Sequence, residues 1–166
     1  AKFETEAINS FLLPIILIEK EELISFLEFR LFFEVHNTSL FVQRATDDGI
    51  AELENHFIQM KKHRRDADKF SMADLSFHQA IAHGTGNPYI IRLSEILAEV
   101  LKNHQVHLYE SIGPEVGLFW HEQILRAVRS RDKDLAVLLM QRHIEETIDA
   151  VRATTAESAA DSDEER

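Results

Sequence analysis

Between about Lys20 and Ala45, apolar residues recur every three or four positions: Leu23, Phe26, Leu27, Leu31, Val35 and Phe41. That is the period of an α-helix, in which such residues stack on one face. Phe29, Phe32 and Phe33 add apolar side chains on other faces. A helix apolar nearly all round is buried centrally or shared with a partner subunit.

The pattern continues down the chain. Thr46-Asp47-Asp48 opens a second helix, with a hydroxyl N-cap and two acids suited to the positive helix end. It runs through Ile50, Leu53, Phe57 and Met60 to the basic stretch Lys61–Arg65. A third helix spans roughly Asp68 to His83 and stops at Gly84-Thr85-Gly86. Asn87 as N-cap and Pro88 at the first position restart helix, which continues to about Tyr109. Ser111–Gly117 reads as a loop. Helices of about Leu118–Ser130 and Asp132–Val151 follow, with Asp132 as the N-cap of the second. No stretch alternates convincingly as a strand, and the chain has only five Gly and three Pro. The expected fold is all-α, an antiparallel bundle of about six to seven helices enclosing a central ligand or metal cavity.

At 166 residues the chain makes one compact domain, a size that buries about 70% of its unfolded surface. Its formal net charge of −11 repels DNA and anionic membranes. Five acids against one Arg sit in Glu157–Arg166, so residues 153–166 read as an acidic, disordered tail. The chain has no cysteine, which excludes disulfides and thiolate metal sites. The apolar run Phe11–Ile18 is eight residues long and contains Pro14, too short to span a bilayer. A cytoplasmic location follows by default. Residues 1–18 read as a connecting segment.

Four residues carry the chemistry. Asp74 and His78 lie one helical turn apart on a single face, an arrangement that suits one carboxylate oxygen and one imidazole nitrogen on a shared cation. A surface hydrogen bond would use the same spacing. His121 and His143 flank the expected turn near residue 131 by ten and twelve residues, about 15–18 Å of helix on each side. They therefore sit at matched height in an antiparallel hairpin. His121 precedes Ile124 and Leu125, and His143 follows Leu139 and Met140, so both rings point towards the core. One carboxylate and three imidazoles suit Zn²⁺, Ni²⁺, Mn²⁺ or Fe²⁺, with coordination positions left for a small ligand.

The run Asp74-Leu-Ser-Phe-His78 through Gly86-Asn87-Pro88 resembles the Asp-x3-His segment and Gly-Asn-Pro of the FadR-type C-terminal domain (FCD) of GntR-family bacterial transcriptional regulators. Similar stretches are Phe26–Glu34, Arg44–Asp47, His121–Val128 and Asp134 to His143, so the likeness covers about residues 20–152. The resemblance implies an all-helical effector domain (residues 19–152) that often dimerises. It implies a divalent metal held by Asp74, His78, His121 and His143, and a small organic acid such as lactate, pyruvate or citrate as effector. It also implies DNA contact only through an N-terminal winged-helix domain, which this sequence does not contain.

Arg30 sits among apolar residues and needs a partner if buried. The choices are an ion pair with Glu34 or Glu28, or an effector carboxylate held bidentately; the resemblance favours the second. His104 and His107 are i, i+3 and face one wall, where Asn103 and Tyr109 are further effector candidates. His36, His56, His63 and His83 read as exposed or capping residues. Two other functions compete with a sensor. A metalloenzyme could use the same ligands to activate water, but no general base, nucleophile motif or phosphate loop accompanies them. A plain dimerisation module would need neither metal nor ligand.

Overall fold

The computed structural model describes residues 22–164, excluding the side chains of Asn103 and of residues 156–164. The connecting segment 1–18 lies outside the described residues. Six helices follow one another: α1 Leu23–Arg44, α2 Asp47–Lys62, α3 Ala67–Gly84, α4 Pro88–Ile112, α5 Pro114–Arg129 and α6 Lys133–Glu164. No strand occurs among the described residues, and the all-α bundle is as expected.

Side-chain caps fix where the helices begin. Thr46 Oγ1 accepts from the Gly49 N–H at 3.1 Å, Asn87 Oδ1 from Tyr89 at 3.0 Å, and Asp132 Oδ1 from Leu135 at 3.0 Å. Each satisfies an N–H that the helix leaves orphaned. Asp66 caps α3 through the Lys69 N–H at 3.1 Å, which starts that helix slightly earlier than its hydrophobic pattern does.

Three boundaries differ from expectation. The loop expected at Ser111–Gly117 contracts to Gly113 alone. Its φ of 81° ends α4, and Pro114 at the first position begins α5, so one residue both stops and restarts helix. Gly84 is not a turn residue but the last residue of α3; a Cβ there would run into the ring of Phe41. And α6 continues to Glu164, through most of the segment read as a disordered tail. Ala153, Ala156, Ala159 and Ala160 favour helix, and no Gly or Pro interrupts it.

The turn between α5 and α6 is tight. Arg131 takes a left-handed φ of 58°, which a non-glycine residue adopts at a cost. Its guanidinium compensates by reaching the junction of α1 and α2, donating to the Ala45 carbonyl at 2.5 Å and lying 3.2 Å from Asp47 Oδ1.

Helix α1 packs most extensively on α6, α2 on α3, α3 on α4, and α5 on α6. The interior is aliphatic and aromatic, with Leu27, Phe41, Leu53, Phe77, Ile124, Met140 and Ile144 fully buried. Helix α1 departs from a simple apolar rod. It buries Arg30, Glu34, Asn37 and Thr38, yet leaves Phe29 46% and Phe32 75% exposed. No described helix is long and apolar enough to cross a membrane.

Candidate metal centre

Helices α3, α5 and α6 bring Asp74, His78, His121 and His143 together in the interior. One ligand atom from each lies within 4.8 Å of the other three, and all four residues are buried. The i, i+4 spacing in α3 and the matched heights across the α5–α6 hairpin thus do what the sequence suggested.

Hydrogen bonding orients the rings. His121 Nδ1 is 2.6 Å from the Gly117 carbonyl. A carbonyl only accepts, so Nδ1 carries the hydrogen and Nε2 keeps its lone pair. His121 Nε2 lies 3.3 Å from Asp74 Oδ1 and 3.3 Å from His78 Nε2. On the far side of its ring, His78 presents Nδ1 to Glu34 Oε1 at 3.3 Å, close enough for charge attraction but without hydrogen-bond alignment. Two Nε2 atoms and a carboxylate oxygen therefore converge with no proton assigned between them. These two 3.3 Å separations would suit ligands of one ion at ~2.0–2.1 Å, and the full set of four lies within 4.8 Å. His143 stacks on His78 with centroids 5.5 Å apart and meets His121 edge-on at 4.6 Å. Its Nδ1 is buried with no hydrogen-bond partner, an omission that costs free energy unless something binds there.

The electrostatics favour the neutral, ligating form of His121 and His143. Burial pushes the His121 imidazole down to about 4; Asp74 pulls it up, and His78 adds to the fall. His143 drops well below the ordinary range, through burial and then repulsion from His121, His78 and Arg30. Neutral imidazoles are the ones that bind metal. Burial alone would raise the Glu34 carboxyl, but the pull of His78 and Arg30 outweighs it and the net direction is down. The donor set and its spacing fit a divalent ion.

A cavity of about 50 Å³ opens beside the cluster, room for very few waters. Arg30, Ser71, Asp74, Gln105 and His143 form its polar side, and Phe70, Leu108, Ile112 and Val116 its apolar side. Gln105 Nε2 donates to Asp74 Oδ2. Arg30 Nη2, Ser71 Oγ and Gln105 Oε1 are buried without hydrogen-bond partners.

Residues 25–146 match the family model described as the FCD domain. The chain belongs to the FCD family. It is 28% identical over 141 residues to the HTH-type transcriptional repressor NanR of Edwardsiella tarda, covering 82% of this chain and 54% of that protein. Against NanR of Salmonella typhimurium it is 27% identical over 126 residues, covering 72% and 46%. The chain thus spans about half the length of these relatives. Among solved structures, E. coli McbR/YncC shares the fold with a TM-score of 0.70 at 20% identity, over 83% of this chain and 68% of that one. Streptococcus agalactiae GntR gives 0.65 at 25% identity, over 80% and 61%. The family resemblance read from the sequence is correct, and the two NanR relatives are named as transcriptional repressors.

Within this FCD domain the expected effector residues separate. Arg30 pairs with Glu34, Nε to Oε1 at 3.4 Å, the first of the two readings, and it also lines the cavity. Tyr109 lines the cavity too, and its hydroxyl donates to the Arg64 carbonyl at 2.8 Å. His104 and His107 do not line it, and His107 is exposed. The inward stripe of α4 is Gln105, Leu108, Tyr109 and Ile112; residue 104 sits about 90° from its centre and residue 107 about 150°. The side chain of Asn103 lies outside the described residues. Sequence reading missed Gln105 and Ser71. Gln105 falls on the stripe of Leu101, Leu108 and Ile112 at helical spacing, and that register was the available signal.

Proposed function

We propose that this chain is the effector-sensing and dimerisation domain of a GntR-family transcriptional regulator. Asp74, His78, His121 and His143 would hold a divalent ion of the Zn, Ni, Mn or Fe type, and a small organic acid would occupy the adjoining cavity. The observation that carries the reading is the buried convergence of these four ligand atoms beside a cavity whose Arg30 Nη2 lacks a partner. A buried guanidinium nitrogen without an acceptor is matched by a carboxylate. When bound, the ion would act as a Lewis acid towards an anionic ligand.

The chain's own residues do the rest. Gln105 and the Gly117 carbonyl orient Asp74 and His121, as outer-shell partners of metal ligands do. Phe77, itself fully buried, packs edge-on against His121 at 4.5 Å. Because the ligands come from α3, α5 and α6 and Arg30 from α1, an acid that draws them together would favour one helix arrangement over another. Only such a preference can shift an equilibrium. The exposed Phe29 and Phe32 support a face shared with a second copy. DNA contact would belong to a separate domain of the regulator, since this domain is strongly acidic.

Calorimetric titration of the metal-loaded domain with a panel of small carboxylic acids tests the proposal. Saturable binding near one acid per chain, weakened by Arg30→Ala, is the expected result. Indifference to every acid would reject the sensing role.

A further inference from the structure

Resting on that acid-sensing reading, we infer that Glu34 sets the charge class of the ligand, so that the site takes a monoanion in preference to a dianion. Three side chains with a formal charge are buried together: Arg30 at 3% exposure, Glu34 at 6% and Asp74 at 6%. The other polar residues on the cavity wall, Ser71, Gln105, Tyr109 and Thr147, are uncharged apart from His143, and ligating imidazoles are neutral. One guanidinium and two carboxylates leave the site with a single net negative charge. A divalent ion converts that to a single net positive charge, and one carboxylate closes the balance. A second carboxylate on the same ligand would stay uncompensated in a low-dielectric interior, which is strongly unfavourable.

Glu34 does this without touching the ligand. It is absent from the cavity wall. Its Oε1 is engaged by Arg30 Nε at 3.4 Å and His78 Nδ1 at 3.3 Å, so it is a positioning residue that acts through both. Its carboxylate lies beside the Nδ1 edge of His78, opposite the Nε2 that faces the cluster, and it holds Arg30 by Nε while Nη2 is left unpaired. Removing its charge would leave two net positive charges around a bound ion, which a dianion neutralises better than a monoanion. Removing the ion instead would leave an already negative site that repels any acid.

Butyrate and succinate are a matched probe pair, four carbons each with one or two carboxylates. The metal-loaded wild-type domain should bind butyrate at least about tenfold more tightly than succinate. Glu34→Gln should shift that ratio at least about tenfold towards succinate, while Glu34→Asp, which keeps the charge, should retain the wild-type preference. Metal content is checked by elemental analysis in each protein. Chelating the ion from the wild type should weaken butyrate at least about tenfold, a readout that survives even if Glu34→Gln does not fold. An unchanged ratio in Glu34→Gln, or a wild-type preference for succinate, overturns the inference and leaves acid sensing intact. Binding of neither acid by a metal-loaded wild type overturns the inference and counts against the sensing reading as well.

Discussion

In its middle turns, the two faces of α1 depart from the usual rule of globular proteins, although Leu23, Leu27, Phe33, Phe41 and Val42 of the same helix are buried. Its inward face carries Arg30, Glu34, Asn37 and Thr38, all buried. Its outward face carries Phe29 and Phe32, both exposed, and contributes Leu31, Phe32 and Val35 to a groove of about 500 Å³ that α6 completes with Lys133, Val137 and Gln141. A helix optimised only for folding would place these residues the other way round. Polar groups buried without partners mark a place where something else must bind; large apolar groups left in water mark a place where something else must cover them. One face of this helix therefore reads as a ligand site and the other as a docking face, which is how a sensor helix would connect the two.

The inward face should give the largest effects. Arg30→Leu removes the guanidinium and leaves Glu34 as a buried carboxylate facing only His78. Breaking a buried pair in this way costs about 3–5 kcal/mol, visible as a melting temperature lower by on the order of 10 °C. A loss under about 1 kcal/mol would show that the inward charges are solvated and that the contrast between the faces is weaker than drawn.

Acidification should act next, through the histidines beside that face. His121 is pushed from its ordinary 6.5 down to about 4 in the folded chain. Between those values the unfolded chain holds more protons than the folded one, so stability is fully present above about pH 6.5 and is lost as pH falls towards 4. His143 shifts in the same direction. With a chelator present, urea titrations across this window should show a loss on the order of 3 kcal/mol. A flat profile would mean that the rings are hydrated. The outward face should give the smallest change in stability. Phe32→Ser should alter it by no more than about 0.5 kcal/mol while reducing self-association in analytical ultracentrifugation. An unchanged sedimentation profile would show that this face does not join two copies.

Much of this was legible in the sequence because helices announce themselves locally. Caps at Thr46, Asn87 and Asp132, the three-to-four periodicity and the scarcity of Gly and Pro need no tertiary information. The convergence of the four was legible for a related reason: Asp74 and His78 share a helix face, and a hairpin turn fixes the relative heights of His121 and His143. What escaped the sequence depends on packing between distant segments. Gly84 reads as a turn former until the ring of Phe41 is placed against it. His104 and His107 read as a cavity wall in the sequence and Gln105 is passed over, because the rotation of α4 decides which stripe faces inward. Glu34 was visible only as a partner for Arg30, since its approach to His78 joins residues 44 positions apart. The outward direction of Phe29 and Phe32 was one of two possibilities open to a helix apolar on most faces, and the choice rests on which side α6 covers.

The central claim is that four side chains from α3, α5 and α6 share one ion. Elemental analysis of the purified domain, paired with thermal melts before and after chelation, tests it directly. About one divalent ion per chain is expected, absent from His121→Ala. Its removal should cost about 2.7 kcal/mol when free metal had stood at a hundredfold over its dissociation constant. Fewer than about one ion in ten chains, with melts indifferent to added Zn²⁺, Ni²⁺, Mn²⁺ or Fe²⁺, would contradict it.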